Sequence, residues 1–195
     1  MKTEEGQLNE AEGLQIIQQM ISQAKQHYSD DSFMYLLWGW LVFAASLGHY
    51  VLDSAGIANP EMVWLLMPIG GIVSIFYGRY KSKHEKVRTY IDEFNMYVLR
   101  AFLVSLLIVL IFMSKLQLNC YPMLMMVYGI WLYVSGGGLR FKPLMFGGIA
   151  NWILAVAAFF VTFKMQLLLL ALAVLVGYII PGYMLRNRYK GQQKS

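Results

Sequence analysis

Six apolar runs punctuate the chain, at residues 33–52, 62–78, 96–114, 121–138, 144–163 and 166–185. A helix needs about 20 apolar residues to cross the hydrocarbon core of a bilayer, so the pattern predicts an all-α polytopic membrane bundle of six transmembrane helices. Short polar turns between the members of each successive pair make the pairs antiparallel neighbours, which gives three hairpins. Ahead of the first run, residues 9–28 predict an amphipathic helix. Asn9 and Glu12 stand at capping-box spacing, and Leu14, Ile17, Ile21, Ala24 and Tyr28 step by three and four. The Ser29-Asp30-Asp31-Ser32 stretch then predicts a break in that helix and side-chain caps for the next one.

The polar face of the N-terminal helix carries Gln15, Gln18, Gln19, Ser22, Gln23 and Gln26, with Lys25 as its only cation. Helices that lie on a membrane load that face with Lys and Arg, so the apolar stripe reads as a docking face for protein. Three occupants stay open: the chain's own cytoplasmic loops, a second copy, or a separate cytosolic partner.

The connecting segments orient the spans. Residues 53–61 hold no Lys or Arg, and residues 115–120 and 164–165 hold one each, whereas 79–95 hold five, 139–143 two and the tail from 186 four. By the positive-inside bias the second group is cytoplasmic and both termini lie inside. The domains are then a cytosolic helix and hinge (1–32), a six-span membrane domain (33–187) and a basic cytosolic tail (188–195). Each cytoplasmic exit carries the same triplet: Arg79-Tyr80-Lys81, Arg140-Phe141-Lys142 and Arg188-Tyr189-Lys190. Trp40, Phe102 and Trp152 open similar tripeptides 39, 38 and 36 residues upstream of the triplet arginines. A threefold hairpin duplication accounts for this, as does the general habit of membrane hairpins to put aromatics near interfaces and cations at exits. On either account the triplets are lipid-facing basic anchors.

Composition agrees with a membrane solvent: of 195 residues 58% are hydrophobic and 14% charged, with a mean hydropathy of +0.50. The first apolar run follows a long polar stretch and is expected to stay as a span, not a cleaved signal. A net charge of +5 divides into −4 over residues 1–32 and +9 over the rest, in short loops where anionic lipid headgroups explain it. No aromatic stacking platform or folded basic face accompanies the charge, so nucleic acid is not an expected partner; membrane lipids are. The single cysteine, Cys120, excludes an intrachain disulfide and a cysteine-based metal site.

Candidate chemistry is sparse. Trp38, Trp40, Arg100, Asn151 and Trp152 fall at similar depth in the odd-numbered spans, roughly 6 to 12 Å from the cytoplasmic boundary at 1.5 Å per residue. An arginine that cannot lose its proton needs an anion, carbonyls or water. Arg100 and Asn151 together would make a cytoplasm-facing pocket for an anionic headgroup or small acid; alternatively Arg100 snorkels to lipid phosphate. His49, near Tyr50 and Asp53 at the outer end of the first span, reads as a satisfied interfacial side chain or as a pH sensor. Pro68, Gly129 and Gly177 each precede a triplet arginine by eleven residues and suit close helix approach or flexing. No Asp or Glu lies inside a predicted span, and no catalytic motif, metal-ligand spacing or nucleotide loop is present, so no enzyme activity and no cofactor are expected.

The run Ile16-Ile17-Gln18-Gln19-Met20-Ile21, continuing through Phe33-Met34-Tyr35-Leu36-Leu37-Trp38-Gly39-Trp40 to Gly48-His49-Tyr50, resembles an uncharacterised family of multi-spanning bacterial inner-membrane proteins. The likeness covers the first third of the chain. It implies a bacterial cytoplasmic membrane and no particular activity. Two functions are carried forward: a non-enzymatic scaffold or regulatory subunit that recruits a partner through its N-terminal helix, and a small transporter or lipid-binding protein using Arg100 and Asn151.

Overall fold

The computed structural model describes residues 10–84 and 90–192; over most of 10–31, over 81–84 and 90–92, and at 189 and 192, the description is of the backbone alone. Among the described residues every regular element is helical, and no strand occurs. The longest, α1 (Glu10–Ser54), runs 45 residues through Ser29-Asp30-Asp31-Ser32 without the expected break. Nothing between Gly13 and Gly39 removes a backbone donor, and Ser and Asp in a helix interior cost only a few tenths of a kcal/mol each. The helix stops instead at Gly56, whose φ of 68° lets the amides of Gly56 and Ile57 turn back onto the carbonyls of Asp53 and Leu52.

A 3₁₀ segment, Pro60–Leu65, leads into α2 (Leu66–His84). Next come α3 (Tyr90–Ile111), the single turn α4 (Met113–Leu116), and a 3₁₀ turn at Gln117–Asn119. Then follow α5 (Cys120–Gly138) and α6 (Lys142–Ala158). The final helix begins as α7 (Phe163–Val174), widens into a π turn at Leu175–Ile179 and continues as α8 (Ile180–Gln192).

Among the described residues, four stretches are long and apolar enough to cross a membrane: Ser32–Ser54, Pro60–Tyr80, Glu93–Ile111 and Phe163–Arg188. The other two expected spans fall short for different reasons. In α5, nineteen residues include three tyrosines, four glycines and a proline. Helix α6, with Pro143 in its first turn, is only seventeen residues long and ends at Ala158. These two are the most intimately packed helices of the bundle.

Side-chain contacts fix the pairing. Phe33 meets Tyr77 and Trp38 meets Ser74, so α1 and α2 are antiparallel. Phe102 lies on Tyr128 and Trp131 and Asn95 lies beside Gly138, which does the same for α3 and α5. Gln166 reaches Ala158, and Asn151 reaches Ala173, pairing α6 with the last helix. These are the three expected hairpins, although their backbones do not repeat. Arg79 lies in a helix, Arg140 sits in the left-handed region at φ 49°, and Arg188 is again helical. The three triplets nonetheless share one end of the bundle. Arg188 stacks on Phe141 at 5.9 Å, Asn95 at the start of α3 lies beside Gly138 at the end of α5, and Tyr77 meets Phe33 on α1, one turn from Leu36, which packs on Gly182.

The closest approaches occur where α6 passes α5 and the π turn. A Cβ on Gly148 would stand 2.8 Å from the Gly129 carbonyl and from the Tyr133 amide, and one on Gly147 would stand 2.7 Å from the Gly177 Cα. Backbone cannot yield as a side chain can. Gly148→Ala should therefore destabilise the bundle by about 1–3 kcal/mol, while Gly71→Ala, with nothing within 4 Å of its would-be Cβ, should be nearly neutral. Thermal unfolding of both variants in one detergent checks the contrast.

Candidate functional site

The expected polar layer does not close into one site. Trp38 donates its indole N–H to Ser74 at 3.1 Å, and Trp40 is 45% exposed with its ring edge-on to Phe43. Trp152 donates to the Met126 carbonyl at 3.2 Å and lies along Tyr133. Asn151 is fully buried, and its amide bridges two helices, donating to the Gly147 carbonyl at 2.9 Å and to the Ala173 carbonyl at 3.0 Å, just before the π turn. Arg100 is exposed, with its guanidinium 5.7 Å from the Tyr97 ring centre.

Arg100 and Asn151 thus belong to different surroundings. Helix α3 packs on α5 and has no comparable interface with α6. At 100° per residue Arg100 sits about 200° around α3 from Phe102, the residue that faces α5. Equal depth along two helices says nothing about azimuth, which is why the joint pocket read from the sequence is not formed. Of the lipid-facing anchors, Arg79, Arg140, Lys142, Arg188 and Lys190 are exposed. The side chains of Lys81 and of the stripe Leu14, Ile17, Ile21, Ala24 and Tyr28 lie outside the described ones. Gly129 and Gly177 both sit at close helix crossings, whereas Pro68 is exposed on α2.

At the opposite end, four elements converge on His49, expected there as a satisfied interfacial side chain or a pH sensor. His49 is 5% exposed, and its Nδ1 accepts the Trp64 indole N–H at 2.9 Å, with the Tyr121 hydroxyl 3.5 Å away. Phe163 closes the box, its ring centre 5.6 Å from the imidazole. An indole N–H can only donate, so Nδ1 carries a lone pair and the neutral ring holds its proton on Nε2. One turn inward, Ser46 donates to the Leu167 carbonyl at 2.6 Å. One turn outward, Asp53 pairs with Lys164 at 3.2 Å.

The arrangement ties α1, the 3₁₀ segment, α5 and α7 together, so it is a clamp on the connector that carries Trp64. It contains no nucleophile beside a base. Among the described residues, no three His, Cys, Asp or Glu come together as metal ligands would. Deeper in the bundle, Asn151 Oδ1 and Gln166 Oε1 are buried acceptors without a protein donor, while both amide nitrogens are engaged. The partners of His49 stand 15, 72 and 114 positions away in the chain, beyond the reach of any local pattern. Only the Asp53 spacing, one turn along the same helix, hinted at the cluster.

His49→Phe keeps the ring volume but leaves the Trp64 N–H without its acceptor, a loss of about 1–3 kcal/mol. His49→Gln restores an acceptor and should recover part of that loss, measured as the unfolding midpoint in detergent. Comparison with protein-family models, with curated proteins and with solved structures finds no match to this chain.

Proposed function

We propose that this protein is a non-enzymatic scaffold or regulatory subunit of a bacterial cytoplasmic membrane, crossing it six times with both termini inside and recruiting a cytosolic partner through its N-terminal helix. The observation that carries the reading is the continuity of α1. Residues 10–31 extend the first span by about 33 Å at 1.5 Å per residue. A helix without a break has no joint at which to fold back onto its own loops. Of the occupants that the apolar stripe could take, this favours one from outside the bundle.

Convergence of the three basic triplets at one end supports the inward assignment of that end, and the Asp53–Lys164 pair with the His49 clamp then faces outward. Helices α5 and α6 count as the fourth and fifth spans in this reading. They run the length of the bundle between helices that are themselves long enough to cross, and their polar and small residues face protein, not lipid. The alternative, a transporter or lipid-binding protein with a pocket built on Arg100 and Asn151, is less favoured, because those residues sit on helices without a comparable interface.

Deleting residues 1–28 should leave the membrane bundle folded, with an unchanged unfolding midpoint, and should remove the cytosolic protein that co-purifies with the intact chain. A deletion that releases nothing, or one that unfolds the bundle, overturns the proposal. Impermeant labelling of single cysteines should reach position 164 from outside the cell and position 142 only after the membrane is opened.

A further inference from the structure

Helix α3 is attached along one stripe only. Phe102 packs on Tyr128 and Trp131, with Leu106 and Val109 continuing the contact. Away from that stripe Tyr97 is 64% exposed, Val104 56%, Leu107 56% and Ile111 69%. In a bilayer such a face is ordinary, except that Arg100 stands within it. Arg100 is the eighth residue of the apolar stretch Glu93–Ile111, which puts its Cα about 10 Å inside that stretch at 1.5 Å per residue. Among the described residues its contact is the Tyr97 ring, and no carboxylate pairs with it.

A guanidinium keeps its charge at any accessible pH and at this depth needs an anion, carbonyls or water; on an apolar face where no described carboxylate reaches it, an anion from outside the chain meets that need best. The geometry points to a transmembrane helix of a second protein, seated on the outer face of α3 and carrying an Asp or Glu level with Arg100. A second copy of this chain does not meet the need. Two α3 faces would bring Arg100 against Arg100, and the chain's own membrane-crossing stretches hold acidic residues only at their ends: Asp53, Glu61 and Glu93. A lipid phosphate fits less well, because the guanidinium is held over Tyr97, a full turn short of Glu93. The face between Arg100 and Ile111 is otherwise apolar, as a helix partner in hydrocarbon requires. This contact rests on the membrane reading but not on the N-terminal helix.

The test places a photo-crosslinking phenylalanine analogue at Leu107, two turns from Arg100 on the same face, in the full-length protein in its native membrane; the same analogue at Ile72 on α2 serves as control. The expected product from position 107 is an adduct with a membrane protein at a span containing Asp or Glu. Its yield should fall about tenfold or more in Arg100→Glu, the loss of one charge pair worth at least that factor in affinity. It should return when the partner's carboxylate is exchanged for Lys. Adducts with lipid alone, with a second copy of the chain, or with a protein whose yield ignores Arg100→Glu would each overturn the inference. Because Arg100 is exposed, Arg100→Glu is expected to fold, and an unchanged unfolding midpoint verifies this. Deletion of residues 1–28 should leave the crosslink in place, so failure of the N-terminal docking and failure of this contact are separately visible.

Discussion

The bundle depends on backbone meeting backbone where α6 crosses α5 and the π turn. In hydrocarbon, apolar side chains gain nothing by choosing each other over lipid, so helices associate through close van der Waals contact and hydrogen bonds. Gly129 against Gly148, and Gly147 against Gly177, supply the first. Asn151 supplies the second, with its amide spanning from α6 to the Ala173 carbonyl. The π turn that follows is the kind of local widening found where a helix accommodates an intruding neighbour. Leu132, fully buried, and Asn151 both press on Gly177, so the turn is held from two sides.

Around that junction the molecule grades outward. Helices α5, α6 and the π-containing helix form the packed centre, and α1 lies against the π turn through Gly39 and against α8 through Gly182. Helices α2 and α3 are attached along one stripe each. Tyr35, Tyr128, Trp131, Tyr178 and Phe102 fill the seam between α1, α5 and the last helix with ring contacts. Large rings let helices stand further apart without leaving a void, which is the opposite device from the glycines one helix away.

The two ends of the bundle differ in kind. One gathers the triplets, and there Arg140 occupies a left-handed position usually given to glycine, closing α5 through the amides of Arg140 and Phe141. The other is knotted by side chains: the His49 box holds the 3₁₀ connector down, and Asp53 with Lys164 closes the rim.

Periodicity and charge were enough to read the helical class, the three antiparallel pairs and the clustering of the triplets, because each of these follows from the run of residues along the chain. Element ends were less legible: α1 continues through Ser29-Asp30-Asp31-Ser32, and α6 stops at Ala158, since helix boundaries turn on packing and turn geometry more than on composition. Azimuth was not legible at all. Arg100 and Asn151 share a depth, yet one looks away from the bundle and the other is sealed inside it. The His49 clamp joins positions that lie far apart in the chain. A sequence states how far along a helix a residue stands; which side of the helix meets a neighbour is decided only when all the helices compete for the same few close contacts.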